Sequence, residues 1–164
     1  MTDRGSERGA VAVEFALVLP LLMALLVGIV TAGFAFNNTL GVTDGVNEGA
    51  RFGATALGDG SWGNTVQQRT MTQTYLNLPG HPAIVTSTMV CAKLLKAPAT
   101  QVQASSCNTG VAGTEPPNPA GVAAGTCLVK VWAAIPVTFD LALLGSYTAT
   151  VKRHSVSLYE RTCP

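Results

Sequence analysis

The residues of this chain with the type and spacing to do chemistry fall into three sets. They are Gly9-Ala10 with Glu14 and Phe15 near the amino end, the cysteines 91, 107, 127 and 163, and the scattered His81 and His154. Serine, histidine and aspartate are present, but no nucleophile elbow, phosphate loop or paired-carboxylate motif organises them. No catalytic residue, cofactor or small-molecule substrate is therefore expected. Cys91, Cys107, Cys127 and Cys163 contain no Cys-x-x-Cys spacing and His81 and His154 are not grouped with them, so disulfides in an oxidising compartment outrank a zinc site and no metal is expected. Four cysteines allow three pairings, which spacing alone leaves open. The pairing carried forward sets Cys127 with Cys163, because they flank a proposed final hairpin, and leaves Cys91 to Cys107. His154 reads as an ordinary strand residue, and the tyrosines and tryptophans read as core before they read as a binding surface.

Glu14 is the residue whose setting is least ordinary. It heads Phe15 to Phe36, 22 residues without a charge, which as a helix reach roughly 33 Å, enough to cross a bilayer core. An ionised carboxylate there is costly and needs a positive partner. Arg4, Arg8 and the amino terminus flank one side and no basic residue follows until Arg51, which places the N-terminus in the cytoplasm. The rival is a secretory signal cut near Thr31-Ala32-Gly33, but its apolar region should be shorter.

Charged residues make up 12% of the chain and the net charge is +1, with no Lys/Arg cluster, so nucleic acid is excluded as a partner. Beyond the membrane stretch, the remainder can bury one modest core.

In chain order, residues 1–9 read as an unstructured cytoplasmic leader, 10–36 as a transmembrane helix with Pro20 inside it, 37–57 as a helix extension, and 58–164 as a small extracytoplasmic domain. Gly41, Gly45, Gly49 and Gly53 recur every fourth residue. Each costs about 1 kcal/mol in a helix, and together they form a ridge that another backbone can approach, either a neighbouring subunit's helix or the chain's own sheet. Thr65-Val66-Gln67-Gln68 has the form of a capping box, predicting a helix over Thr65 to Leu78 with Val66, Met71, Tyr75 and Leu78 on its apolar face. Ala83 to Lys96 predicts a strand, and Ala97 to Thr126 a long loop. Val129 to Ile135 alternates and should end at Pro136. Tyr147 to Leu158 changes parity near Lys152 and Arg153, which a bulge would repair. The fold class expected is α+β: a long N-terminal transmembrane helix continuing into a domain with a short helix and an antiparallel sheet of about three strands.

The order Gly9, four residues, Glu14, Phe15 and an apolar helix resembles the processing signal of type IV pilins. With Pro20-Leu21-Leu22, Gly28-Ile29-Val30 and Asn47-Glu48-Gly49-Ala50-Arg51-Phe52, the stretch from Arg8 to Phe52 resembles the TadE-like proteins, pseudopilins or minor pilins of the tight-adherence (Flp) pilus. The resemblance implies cutting by a prepilin peptidase between Gly9 and Ala10, and a role for Glu14 and Phe15 in subunit packing and charge pairing. The partners it implies are the membrane, the peptidase, other pilins and pseudopilins, and Tad-type inner-membrane assembly proteins. The alternative from another class is a single-pass membrane-anchored extracytoplasmic binding or stalk domain, which requires no cut after Gly9.

Overall fold

The computed structural model of the chain describes residues 4–76, 88–98, 100–108, 113–141 and 145–164. Leu78, His81 and residues 83–87 of the expected first strand lie outside these. Six elements follow in order: α1 Arg4–Thr55, α2 Trp62–Leu76, β1 Met89–Lys96, β2 Thr100–Cys107, β3 Cys127–Leu141 and β4 Gly145–Leu158. The architecture is α+β, with a helical layer on one face of an antiparallel sheet ordered β2-β1-β3-β4.

α1 is one uninterrupted helix of 52 residues that runs through Pro20. It already includes residues 4–9, where an unstructured leader was expected; once a helix is nucleated, each added residue costs little even in a polar segment. Its two halves meet different surroundings. From Val11 to Phe36 the large apolar side chains are exposed, Leu17 at 75% and Leu21 at 70%, whereas Val42, Val46, Ala50 and Ala54 are buried in the domain core.

α2 starts three residues earlier than the capping-box pattern places it. The Asp59 carboxylate accepts hydrogen bonds from the Ser61 N–H and hydroxyl at 2.9 and 2.8 Å, which organises the turn before Trp62. Hydrogen bonds from the Ser61 hydroxyl and N–H hold that carboxyl below its ordinary range. Thr65 is already inside the helix and donates to Ser61 O. The buried positions are Trp62, Gly63, Val66, Gln67, Thr70 and Thr74, two of them threonine. Each buried hydroxyl is satisfied by the carbonyl four residues back, Thr70 on Val66 at 2.8 Å and Thr74 on Thr70 at 2.9 Å, so a polar residue is buried there without an orphaned donor.

The sheet has four strands rather than about three. β2 lies inside the stretch expected to be loop; Thr-Gln-Val-Gln-Ala-Ser-Ser-Cys carries too little apolar alternation to announce itself, and pairing with β1 makes it a strand. Cys91 stands directly opposite Cys107, and two register shifts separate that pair from Lys96↔Thr100. β3 continues through Pro136 to Leu141. Past Ala134 it has β4 as its one described partner, and a strand open on one side tolerates a missing N–H. β3 and β4 pair in unbroken register from Leu128↔Leu158 to Leu141↔Gly145, so no bulge occurs at Lys152 and Arg153. β4 is a largely exposed edge strand, and a change of parity there has no core to violate.

α1 covers β3 and β4 while α2 covers β1 and β2. Val90, Ala92 and Leu94 of β1 and Val129, Val131, Ala133, Ile135 and Val137 of β3 face the helices, each fully buried side chain contributing about 1.5 to 3 kcal/mol. The glycine ridge lets the two helices close on each other. A Cβ on Gly45 would come within 2.9 Å of Thr74 N, one on Gly49 within 3.0 Å of Thr70 Cβ, and one on Gly53 within 2.9 Å of Val129 Cγ1. Gly49→Val should therefore destabilise the domain by about 1 to 3 kcal/mol through overpacking. Gly60→Ala, where a Cβ meets open space, should leave thermal unfolding of the detergent-solubilised chain unchanged.

Candidate functional site

The residues singled out by sequence separate to the two ends of α1. Gly9, Ala10, Glu14 and Phe15 occupy less than two turns near its start, where positions 10 and 14 share a face. Glu14 is exposed and Phe15 is 62% exposed. Around Gly9 nothing lies within 4 Å of where a side chain would begin. The ridge from Gly41 to Gly53 is in the other half and is buried. At Gly45 and Gly49 it is filled by the chain's own α2, and at Gly53 by Val129, Val66 and Trp62. The helix-packing surface is thus an internal one.

Cys91 is joined to Cys107 and Cys127 to Cys163. The first bond ties edge strand β2 to β1 and the second ties the start of β3 to the C-terminal tail. His154 stands on exposed β4, opposite Trp132.

Sequence reasoning missed two clusters. One closes the C-terminal end of α1, where the last four carbonyls of any helix lack intrahelical donors. Phe52 O accepts from Ala56 N at 2.9 Å, Gly53 O from Trp62 Nε1 at 3.0 Å, Ala54 O from Glu160 N at 2.9 Å, and Thr55 O from Arg161 Nε. The Tyr159 hydroxyl adds a bond to Ala56 O at 3.0 Å. The Arg161 guanidinium also suits the negative end of the helix dipole. The donors from Tyr159, Glu160 and Arg161 come from positions about a hundred residues away, so no local signal marks them.

The other cluster lies on the far face of the sheet. Lys93 and Lys130 are directly opposed on β1 and β3, a like-charge pair that would destabilise the ladder if left alone. Glu115 reaches between them, 2.9 Å from Lys93 Nζ and 3.4 Å from Lys130 Nζ, and Lys130 Nζ also donates to Pro116 O at 2.7 Å. Burial pushes the Glu115 carboxyl up, but the two ammonium groups outweigh it and leave the carboxyl below its ordinary 4.5. A depressed folded-state value contributes stability above the unfolded value, lost as pH falls through the folded one. Thermal stability should accordingly drop as pH falls below about 4.5. Glu115→Gln should remove that part of the pH dependence and cost about 1 to 2 kcal/mol at pH 7, because the Lys130 ammonium keeps little beyond a carbonyl.

Gln67 of α2 and Asn108 were missed as well. Gln67 Nε2 donates to Val90 O at 3.2 Å. Asn108 accepts from Val90 N and donates to Thr88 O, at 2.6 and 2.7 Å, extending the β1–β2 ladder after β2 has ended.

No curated protein and no solved structure matches the chain. Residues 9–51, from the glycine ahead of Glu14 to Arg51 on the glycine ridge, match the family model described as TadE-like protein, so this helix is TadE-like in sequence.

Proposed function

We propose that the chain is a pseudopilin or minor pilin acting in assembly of a tight-adherence (Flp) type IV pilus, with a packing role and no enzymatic one. The observation that carries this is α1. It is one helix whose first half presents an uncharged apolar surface behind Gly9, Glu14 and Phe15, and whose second half is built into a domain core. It is also the segment that matches the TadE-like model. Length and hydropathy suffice for a membrane crossing. In this proposal Arg4 and Arg8 stay in the cytoplasm, the domain from α2 onward is extracytoplasmic, and both disulfides form there. The membrane, a prepilin peptidase, other pilins or pseudopilins and inner-membrane assembly proteins are the partners.

Among the described residues no tertiary contact lies within 4 Å of the Cβ position at Gly9, which supports cutting between Gly9 and Ala10 once the first turns of α1 unwind in the peptidase. Cutting gives Ala10 an ammonium group one helical turn before Glu14. That charge neutralises the carboxylate at the membrane boundary, within the chain or on a neighbouring subunit. Intact-mass measurement after co-expression with a prepilin peptidase should show loss of residues 1–9, and Gly9→Val should retain them. An uncut wild-type chain in the presence of active enzyme would overturn the assignment. Removing one partner of a buried ion pair costs about 3 to 5 kcal/mol, so Glu14→Ala should still be cut and inserted but be recovered with fewer pilus partners. Wild-type recovery of partners would reduce Glu14 to a boundary residue.

A further inference from the structure

We propose that the distal end of the β3–β4 ribbon is a second membrane-contacting element, resting among the lipid headgroups of the bilayer that α1 crosses, an inference that rests on the membrane reading of α1. β3 begins at the end of α1 farthest from that bilayer. Val129 packs against Gly53, and Cys127 O accepts from the backbone N–H of Tyr159, whose hydroxyl reaches Ala56 O. From there β3 runs back beneath α1, keeping Ile135 and Val137 buried in one core with Val46 and Val42. β1 stops at Met89 opposite Ala134. Among the described residues β3 and β4 continue alone as a two-stranded ribbon, from Ile135↔Val151 to Leu141↔Gly145.

Length decides where this ribbon ends. From Val129 to Leu141 an extended strand covers about 40 Å, while from Gly53 back to Asn37, the residue after the uncharged run, a helix covers about 24 Å. For a ribbon inclined at about 45° to the helix the descent is roughly 28 Å, which would bring Leu141 to the level of Asn37 or below it. Burial along α1 agrees. Phe34, Phe36 and Leu40 are exposed, yet Thr31, Ala35, Asn38 and Thr39, on the stripe that continues the buried face of Val42, are half-buried. Among the described elements α2 stops at Leu76, soon after Thr74 has met Gly45, and only the ribbon continues in that direction.

The ribbon's chemistry suits a headgroup layer. Tyr147, opposite Phe139, is 66% exposed, while both tryptophans are buried in the domain at 1% and 6%. Tyrosine is an amphipathic ring that settles at the membrane–water boundary. On the other face the exposed Thr138 and Thr148 are hydrogen-bonded to each other at 3.1 Å, a polar side suited to headgroups or water. A two-stranded ribbon is marginal in water by itself, and among the described residues α1 covers one face over part of its length. The bilayer surface supplies further support.

The test places single tryptophans in the full-length chain, reconstituted in phosphatidylcholine and phosphatidylglycerol vesicles carrying bromine near the acyl carbonyls. The wild-type signal from buried Trp62 and Trp132 is the baseline. The fluorescence added over that baseline by Tyr147→Trp and by the reference Phe34→Trp should each be quenched at least twofold, while that added by Leu158→Trp, at the opposite end of β4 and 60% exposed, should be unquenched. Thr148→Trp replaces Tyr147→Trp if that variant does not fold, with quenching again expected. Quenching of Phe34→Trp without quenching on the ribbon overturns this proposal alone. Loss of quenching at Phe34→Trp as well overturns the membrane reading on which it rests.

Discussion

The structure depends on how the C-terminal end of α1 is closed. Any helix ends with four carbonyls that need donors, and at the end of α1 each of the four is met by protein. Trp62 supplies one from the next helix, and the tail after β4 supplies two more through Glu160 and Arg161. The tail holds its position because Tyr159 continues the bonding of β3 at Cys127 O and because Cys163 is bonded to Cys127. The first element of the chain is thereby fixed by the last, and the end of α1 is joined to the domain by a set of directed hydrogen bonds rather than by a hinge.

Above that closure, the distance between α1 and α2 is set by what is missing from side chains. Four glycines in one helical stretch weaken it by about 1 kcal/mol each relative to alanine, a cost that packing must offset. Threonine is the residue that makes the offset possible. Thr70 and Thr74 are small enough to meet bare backbone, and their hydroxyls turn back onto their own helix, so the contact is close yet leaves no polar atom unpaired. Larger apolar residues on α2 would hold the helices apart and open the core beneath Val46 and Ala50.

What is legible in the sequence follows from whether the cause is local. α1 can be read because an uncharged run and a four-residue glycine period are patterns of adjacent residues. The cysteine pairs could be placed because Cys127 and Cys163 bracket a hairpin whose strands alternate. α2 was found but started too late, since Thr65 and Gln68 imitate a cap while Asp59 and Ser61 make the turn. β2 was not legible at all. Its strand character comes from β1 beside it and from the bond between Cys91 and Cys107, neither of which leaves a trace in Thr-Gln-Val-Gln. Pro136 misled for a related reason, because whether a proline ends a strand depends on which neighbours need its N–H, a property of the sheet and not of the residue.

The far face of the sheet shows how a domain with helices on one side only handles its second side. Cross-strand Lys93 and Lys130 would repel in the open and be costly if covered by an apolar layer. The segment from Gly113 is laid over them instead: Gly113 packs near Met89, Ala134 and Trp132, and Glu115 follows two residues later to neutralise both ammonium groups. A Cβ at Gly113 would come within 2.6 Å of the Met89 methyl carbon and 3.2 Å of Ala134 Cβ, so a larger residue there would make the Met89 side chain shift. Among the described residues, one backbone approach and one carboxylate thus cover the face that no helix covers.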